Sequence, residues 1–204
     1  MKKFFKSLML ISVCLGLSAT VNAKTFRYAT TGDILGLDPH ANNEGPTNTM
    51  KGNIYGRMLH RKADLSLEPD LATKWEKLDA NTWRFSLRRG VKFHNGNDFN
   101  ADDVLFSYKR QTQEASDMSF ALATIKQINK VDDYTVDLIT KGPDPILLLN
   151  MPMFYIVDKE WIEANNAFEV VRASGSTNFA NVNTNGTGPF KVVEWIQDLS
   201  LIHI

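Results

Sequence analysis

Apolar and polar residues alternate most regularly at residues 82–88, where every second side chain is large and apolar. This period of two is typical of a strand with one buried and one solvated face. Polar residues at positions 79–81 predict a turn before this strand, and Trp75 belongs to a strand on the other side of the turn. The alternation resumes at Val91 and Phe93, which predicts a further strand. The apolar positions of the central strand are Trp83, Phe85 and Leu87.

A helix is predicted directly after a polar loop at residues 94–98. Asn100 suits the N-cap position, and Asp103 can complete a capping box three residues later. Lys109 and Arg110 suit the far end of the helix, where the helix dipole favours cations. The apolar stripe of this helix, with the spacing i, i+3, i+4 and i+7, consists of Ala101, Val104, Leu105 and Tyr108.

The remaining segments carry shorter signals of both helix and strand, so the sequence predicts a mixed α/β (α+β) fold. Residues 31–46 and 165–185 are polar, and we interpret both as loops. A long loop such as the first of these is often functional. Further helices are predicted at 47–59, 146–151 and 158–164, and further strands at 25–30, 126–130, 134–139 and 190–195.

The first 23 residues have the features of a secretion signal. Three lysines precede an apolar run at residues 8–17, which is too short to span a bilayer comfortably, and Ala23 ends a segment suited to cleavage. An uncleaved anchor is the alternative interpretation. Cys14 lies inside the apolar run, which argues against a lipoprotein and leaves the mature chain without cysteine. We therefore expect a cleaved signal peptide and a periplasmic protein.

Composition favours a packed globular protein, with 43% hydrophobic and 23% charged residues among 204. The formal charge is zero; without the three leader lysines it is −3, since 20 basic residues then face 23 acidic ones. No clustered basic surface suggests nucleic-acid binding. The basic residues between 84 and 92 fit the solvated face of a sheet; they are Arg84, Arg88, Arg89 and Lys92.

The usual catalytic motifs are missing from the sequence, which contains no GxSxG, GxxxxGK[ST] or HExxH. His94 lies near Asp98, and His40 follows Asp38, but a single histidine in a turn is more often structural than catalytic. A metal site requires several converging ligands, and we expect none. The sequence therefore predicts neither an enzyme nor a cofactor.

A long ordered pattern resembles the peptide-type solute-binding proteins of ABC transporters, solute-binding family 5. It consists of LATKWE from residue 71, LRRGVKFHNGNDFNADDVLFSYKR from residue 87, and GTGPF from residue 186. The resemblance covers residues 25–195. It implies a bilobed fold of the type II periplasmic-binding-protein kind, with a solute cleft between the lobes. The expected partners are a small peptide or similar solute and the permease subunits in the inner membrane, and we expect a monomer.

The resemblance also implies a division of the chain. Residues 24–55 would start lobe one, residues 56–185 would form an α/β subdomain inserted into it, and residues 186–195 would return to it. Residues 196–204 differ from the family pattern and are interpreted as an atypical tail. The second lobe has no counterpart in the sequence, so we expect an N-terminal fragment. The alternative interpretation is a complete secreted, non-catalytic binding or adhesion module; a secreted hydrolase is disfavoured.

Candidate site residues follow from the same resemblance. Only the loop after the first strand is positioned to contribute ligand contacts, and its candidates are Thr31, Gly32, Asn42 and Asn43. The hinge or return into lobe one is assigned to Gly186, Gly188 and Pro189. Glycine permits backbone angles that other residues avoid, and proline fixes the following step.

Overall fold

The computed structural model describes residues 32–172, 178–196 and 201–203, with backbone only for the last three. The predicted signal peptide, the predicted strand at 25–30 and Thr31 lie outside these ranges. Within them, none of the helices combines the length and apolar character needed to cross a membrane.

A four-stranded antiparallel sheet forms the centre of the fold, in the order β3-β4-β6-β5. The predicted alternation is confirmed: Phe85 lies opposite Val136 and Trp83 opposite Leu138, and three of these four side chains are buried. Each strand supplies every second residue to the core, as its pleat requires. The strands are β3 (Ala72–Lys77), β4 (Thr82–Leu87), β5 (Ile125–Asp132) and β6 (Thr135–Thr140).

The helices are α1 (Gly45–Ile54), α2 (Ala101–Gln111), α3 (Leu147–Asn150), α4 (Lys159–Ala164) and α5 (Phe179–Val182). Two 3₁₀ helices cover Ser119–Leu122 and Met151–Met153. The predicted capping box of α2 is confirmed, since Asn100 and Asp103 exchange both hydrogen bonds. The predicted single stripe was too narrow, because Phe106 and Arg110 are buried on a further face.

Four short strands complete the fold: β1 (Leu59–Arg61), β2 (Leu67–Pro69), β7 (Glu194–Ile196) and β8 (Leu201–His203). β1 pairs with β2 and β7 with β8, both antiparallel. The sequence pattern did not predict the β1–β2 hairpin. Helix α1 ends at Ile54, short of the predicted residue 59, because the chain becomes extended at Tyr55.

Two predicted strands are wrong in extent. Residues 91–93 form a single bridge, between Lys92 and Asp98, because Gly90 turns the chain with a φ of 72°. The predicted strand at 190–195 begins only at Glu194, since Phe190 donates its backbone N–H to Asn53 on α1.

The buried side chains form two cores, with α2 between them. The first core lies between the sheet and α2 and contains Phe85, Phe99 and Val104. The second joins the loop before α1, α1 itself, α4 and the opposite face of α2, and it contains Leu37, Ile54 and Phe106. The predicted ligand loop therefore packs against α1 and α2.

Candidate functional site

A buried ion pair fixes the predicted ligand loop to α2. The two Nη atoms of Arg110 donate to the two carboxylate oxygens of Asp38 at 2.8 and 2.5 Å, and both side chains are fully buried. Burial alone would raise the pKa of Asp38, but the Arg110 guanidinium holds it below its ordinary value. The pair therefore stays charged in the core.

His40 continues this network toward Tyr155. Its Nδ1 lies 3.0 Å from Arg110 Nη1 and must accept, because a guanidinium can only donate. Its Nε2 therefore carries the proton and donates to the Tyr155 carbonyl at 3.0 Å. Burial and the neighbouring guanidinium lower the pKa of His40 to about 3, so the ring is neutral. These contacts fix the position of residues 38–40 relative to Tyr155.

Two of the predicted ligand residues, in the loop before α1, are hydrogen-bonded to that helix. The backbone carbonyl of buried Asn42 accepts a hydrogen bond from the buried ammonium group of Lys51, whose pKa burial lowers to about 8. Exposed Asn43 accepts a hydrogen bond at 2.8 Å from the side-chain amide of Asn48. Gly32 is half-buried, and Thr31 is outside the described residues. Asn43 is thus the exposed candidate, and it is connected to Asn48.

Asn48 and its neighbour Thr49 line a cavity of about 320 Å³. Part of its lining is polar and cationic, with Arg57 and Arg61, and the rest is largely apolar. None of the lining residues is an acid, a histidine or a cysteine. The remaining lining residues are Met118, Pro152, Met153 and Tyr155. A small polar set within a largely apolar lining is typical of small-molecule sites.

Arg57 is the group in this cavity with hydrogen-bonding capacity left over. Its Nη2 donates to His60 Nδ1 at 3.0 Å, and its guanidinium lies 5.8 Å above the Tyr155 ring. Its Nε is buried and has no hydrogen-bond partner among the described residues, although it forms a long ion pair with Asp70, at 4.0 Å. The guanidinium packs over Gly52, where a Cβ would lie 3.5 Å from Nη2, an ordinary van der Waals distance.

The electrostatics of the cavity favour an acceptor or an anion. Tyr155 lies within 6 Å of two cations, since the Lys51 ammonium group is 5.9 Å from its ring centroid. Burial raises the pKa of Tyr155, so its hydroxyl stays neutral and can donate. Arg61 donates to the Leu149 carbonyl and also lines the cavity, so it adds a second positive charge there. A carboxylate or carbonyl group would therefore find donors here, and apolar groups would find Met118 and Met153.

The predicted return segment packs directly against the end of α1. Gly188 donates its N–H to Ile54 O at 2.8 Å, while Gly186 donates to His94 Nδ1 at 3.3 Å. His94 Nε2 donates to the Gly188 carbonyl at 2.8 Å. Neither glycine has a positive φ, so the predicted need for unusual backbone angles is wrong. The glycines are needed for close approach instead: a Cβ on Gly186 would lie 2.0 Å from Ile54 O.

Replacing Gly186 with alanine should lower the free energy of unfolding by about 1–3 kcal/mol, the usual cost of overpacking, because backbone atoms must move. Urea denaturation measures the change. Gly142→Ala is the matched control, since nothing lies within 4 Å of a Cβ at Gly142. Equal stability of the two variants would contradict the packing argument.

Three carboxylates meet where α2 and α4 begin. Oxygens of Asp103, Asp158 and Glu160 lie within 4.8 Å of one another. Asp103 accepts from the backbone N–H groups of Asn100 and Lys159, at 2.9 and 3.0 Å. Asp158 caps α4 and also accepts from three asparagine amides, of Asn95, Asn97 and Asn185. Helix capping and loop anchoring explain why Asp103 and Asp158 are buried. The sequence pattern did not predict that these two residues lie close together.

Most of the chain matches a known protein family. Residues 66–202 match the family model described as "Bacterial extracellular solute-binding proteins, family 5 Middle". The chain therefore belongs to the family 5 solute-binding proteins. The match ends within β8, so it includes most of the residues 196–204 that the sequence pattern set apart.

Two curated relatives and one solved structure illustrate the similarity. The dipeptide-binding protein of Escherichia coli is 31% identical over 91% of this chain and 38% of its own length. Heme-binding protein A of Haemophilus influenzae is 30% identical over 88% of this chain and 36% of its own. The periplasmic binding protein DppA of Helicobacter pylori, in complex with the peptide STSA, superposes with a TM-score of 0.68 at 30% identity. That superposition covers 80% of this chain and 35% of DppA, so the chain spans little more than a third of these relatives.

Proposed function

We propose that the protein acts in the periplasm as a solute-binding component of an ABC importer, delivers a small peptide to the membrane permease and catalyses no reaction. Membership of family 5 supports the transport class. The observation that carries the site is Arg57, whose guanidinium borders a cavity beside Tyr155 and whose Nε, in an ion pair with Asp70, has no hydrogen-bond partner among the described residues. A peptide combines the carbonyl and carboxylate acceptors that such donors require with side chains for an apolar wall.

The division predicted from sequence is retained as part of this proposal. Residues 24–55 and 186–195 would belong to lobe one, and residues 56–185 to the inserted region. Leu37 and Ile54 lie in the second core and Phe85 and Val136 in the first, but the second core also contains Phe106 and Tyr155 from the inserted region, so the two regions pack on each other there. In this division the cavity has walls from both regions, with Asn48 from the first and Arg57 from the second.

A second lobe would supply the groups that face the cavity. Solute-binding proteins of this kind close two domains around the ligand, and small-molecule sites commonly bury 70–90% or more of their ligand. Apolar side chains near the return segment are exposed, with Val193 81% and Val182 51% exposed. We propose that such surface is covered in the two-lobed protein, and that these 204 residues bind solute only weakly.

The test is a titration of the ¹⁵N-labelled protein with a dipeptide, followed by amide chemical shifts. We expect a dissociation constant weaker than about 100 µM, with shifts at Asn48, Arg57 and Tyr155. Arg57→Gln should reduce the affinity at least about tenfold, because a lost hydrogen bond to a charged group costs about 1.5–3 kcal/mol. Lys92→Gln, which removes a cation outside the cavity, is the control. Unchanged affinity in Arg57→Gln would exclude this cavity as the peptide site, whereas tight micromolar binding would contradict the proposed need for a second lobe.

A further inference from the structure

A second basic cavity lies at the end of the sheet, and Asp70 lies between it and the solute cavity, in contact with Arg57 of one and Arg88 of the other. It has a volume of about 390 Å³ and shares no lining residue with the first. It is built where β4 ends between β3 and the start of β6: Leu87 N bonds to Tyr134 O at 2.8 Å, and Arg88 N bonds to Leu71 O at 2.7 Å. The lining residues are Thr73, Ser86, Leu87, Arg88, Arg89, Tyr134 and Thr135.

Both arginines in this cavity are held by their neighbours and keep free donors. Arg88 donates through Nε to the Asp70 carbonyl at 2.9 Å, which leaves its two Nη groups available. The Arg89 guanidinium stacks on the Tyr134 ring with a centroid distance of 4.4 Å, which leaves its N–H edge available. A guanidinium fixed in this way loses less conformational entropy when it binds an oxyanion than a free lysine would.

The local charge balance leaves these arginines without a direct anionic partner. Within the described ranges, no carboxylate is in ion-pair contact with Arg88 or Arg89, whereas Arg84 on the same strand is paired with Asp137 at 2.7 Å. The acids that act on them at longer range are Asp70 and Asp132. Asp70 accepts from the backbone N–H of Arg57, and Asp132 accepts from the backbone N–H of Tyr134 and from the hydroxyl of Thr135.

Three hydroxyl groups border the same cavity from three strands. Ser86 and Thr135 are direct partners across β4 and β6. Thr73 on β3 donates to the Ser86 carbonyl at 3.2 Å, so its oxygen can still accept a hydrogen bond. Two guanidinium forks and several hydroxyls that approach from different elements suit an acceptor with oxygens in several directions, which is the geometry of a tetrahedral oxyanion.

We propose that this cavity is a binding site for a phosphate or sulfate oxyanion, held by Arg88 and Arg89 with the hydroxyl of Ser86. This proposal does not depend on the proposed transport role, because the two cavities share no lining residue. The sequence pattern predicted that both arginines lie on the solvated face of a sheet. Both are exposed, but the pattern did not predict the cavity that they line.

The experiment is a titration of the ¹⁵N-labelled protein with sodium phosphate at constant ionic strength, with sulfate and chloride as further probes. We expect saturable shifts at Ser86 and Thr135 with a dissociation constant of about 1 mM or tighter, for phosphate and sulfate but not for chloride. Arg89→Gln and Arg88→Gln should each weaken binding at least about fivefold. Arg89→Lys, which keeps the charge but not the fork, should also weaken it, whereas Lys92→Gln should not.

Two results would overturn the proposal. Equal responses to chloride and phosphate would show only general screening of surface charge. Phosphate affinity in Arg89→Lys equal to that of the unaltered protein would show that net charge, not the guanidinium geometry, is responsible. Because both arginines are exposed, we expect their variants to fold, and circular dichroism checks this before titration.

Discussion

Replacing Arg110 with methionine should lower the free energy of unfolding by about 3–5 kcal/mol, the range measured when one partner of a buried ion pair is removed. Methionine preserves most of the aliphatic volume, so the cost falls mainly on Asp38. That carboxylate would remain fully buried and lose both of its guanidinium hydrogen bonds. The Ala167 carbonyl, which accepts from Arg110 Nε at 3.1 Å, would lose its partner too. Urea denaturation at pH 8 measures the loss.

His40 gives this prediction a characteristic pH dependence. Burial and the Arg110 guanidinium lower the pKa of His40 to about 3. Without that guanidinium, the pKa should rise, and a protonated ring could then pair with Asp38. The loss in Arg110→Met should therefore be smaller at pH 5 than at pH 8. The double variant Asp38→Asn/Arg110→Met should recover part of the stability, because no charge is then left buried.

An exposed pair provides the comparison for Arg110. Lys92 and Asp98 form an ion pair at 2.7 Å, but both side chains are more than half exposed. Lys92→Met should therefore change the free energy of unfolding by no more than about 1 kcal/mol. If Arg110→Met cost no more than Lys92→Met, the buried network would not anchor the ligand loop as described.

The second large effect is a pH dependence of stability that originates at Asp103. Burial is the main reason why the pKa of Asp103 rises from 3.8 to about 7, and the carboxylates of Glu160 and Asp158 add to it. Between pH 4 and 7 the native state keeps a proton that the unfolded chain has lost. This contribution to the free energy of unfolding therefore falls as the pH rises through that window, by about 4 kcal/mol in total, and is constant on either side.

Asp103→Asn should remove this slope. An asparagine has one acceptor oxygen for the two backbone N–H groups that Asp103 now satisfies, so we expect a loss of about 1 kcal/mol that does not depend on pH. Denaturation curves at half-unit steps from pH 4 to 8 measure the difference between variant and parent. Asp102→Asn changes the exposed neighbour on the same helix turn and should keep the parental slope. Parallel pH profiles for Asp103→Asn and the parent would refute the assignment.

Short sequence patterns predicted the elements that are stabilised by contacts between residues close together in the sequence. The capping box of Asn100 and Asp103 spans three residues, and the hairpin of β5 and β6 is closed by a short turn, so a short window contains the information. The hairpin of β1 and β2 was missed because each strand has only three residues and Leu65 between them adopts a positive φ of 68°. So few apolar positions cannot reveal the two-residue alternation that indicates a strand.

The site residues that were missed are distant in sequence. Arg57 meets Tyr155 across an isolated bridge that joins residues 98 positions apart, and nothing local to either residue indicates this pairing. The contact between Asp38 and Arg110 joins the ligand loop to the end of a helix 72 residues later. The roles of Gly32, Asn42 and Asn43 in ligand binding remain predictions, but Asn43 is connected to the cavity through Asn48.

The most direct test of the solute cavity is paramagnetic relaxation enhancement with a spin-labelled dipeptide added at millimolar concentration. This measurement detects weak binding and also locates it. We predict the strongest signal loss at the amides of Asn48, Arg57, Met118 and Tyr155, and its reversal by excess unlabelled dipeptide. Signal loss that is strongest elsewhere on the described surface, or that unlabelled dipeptide does not reverse, would contradict the assignment of this cavity as the peptide site.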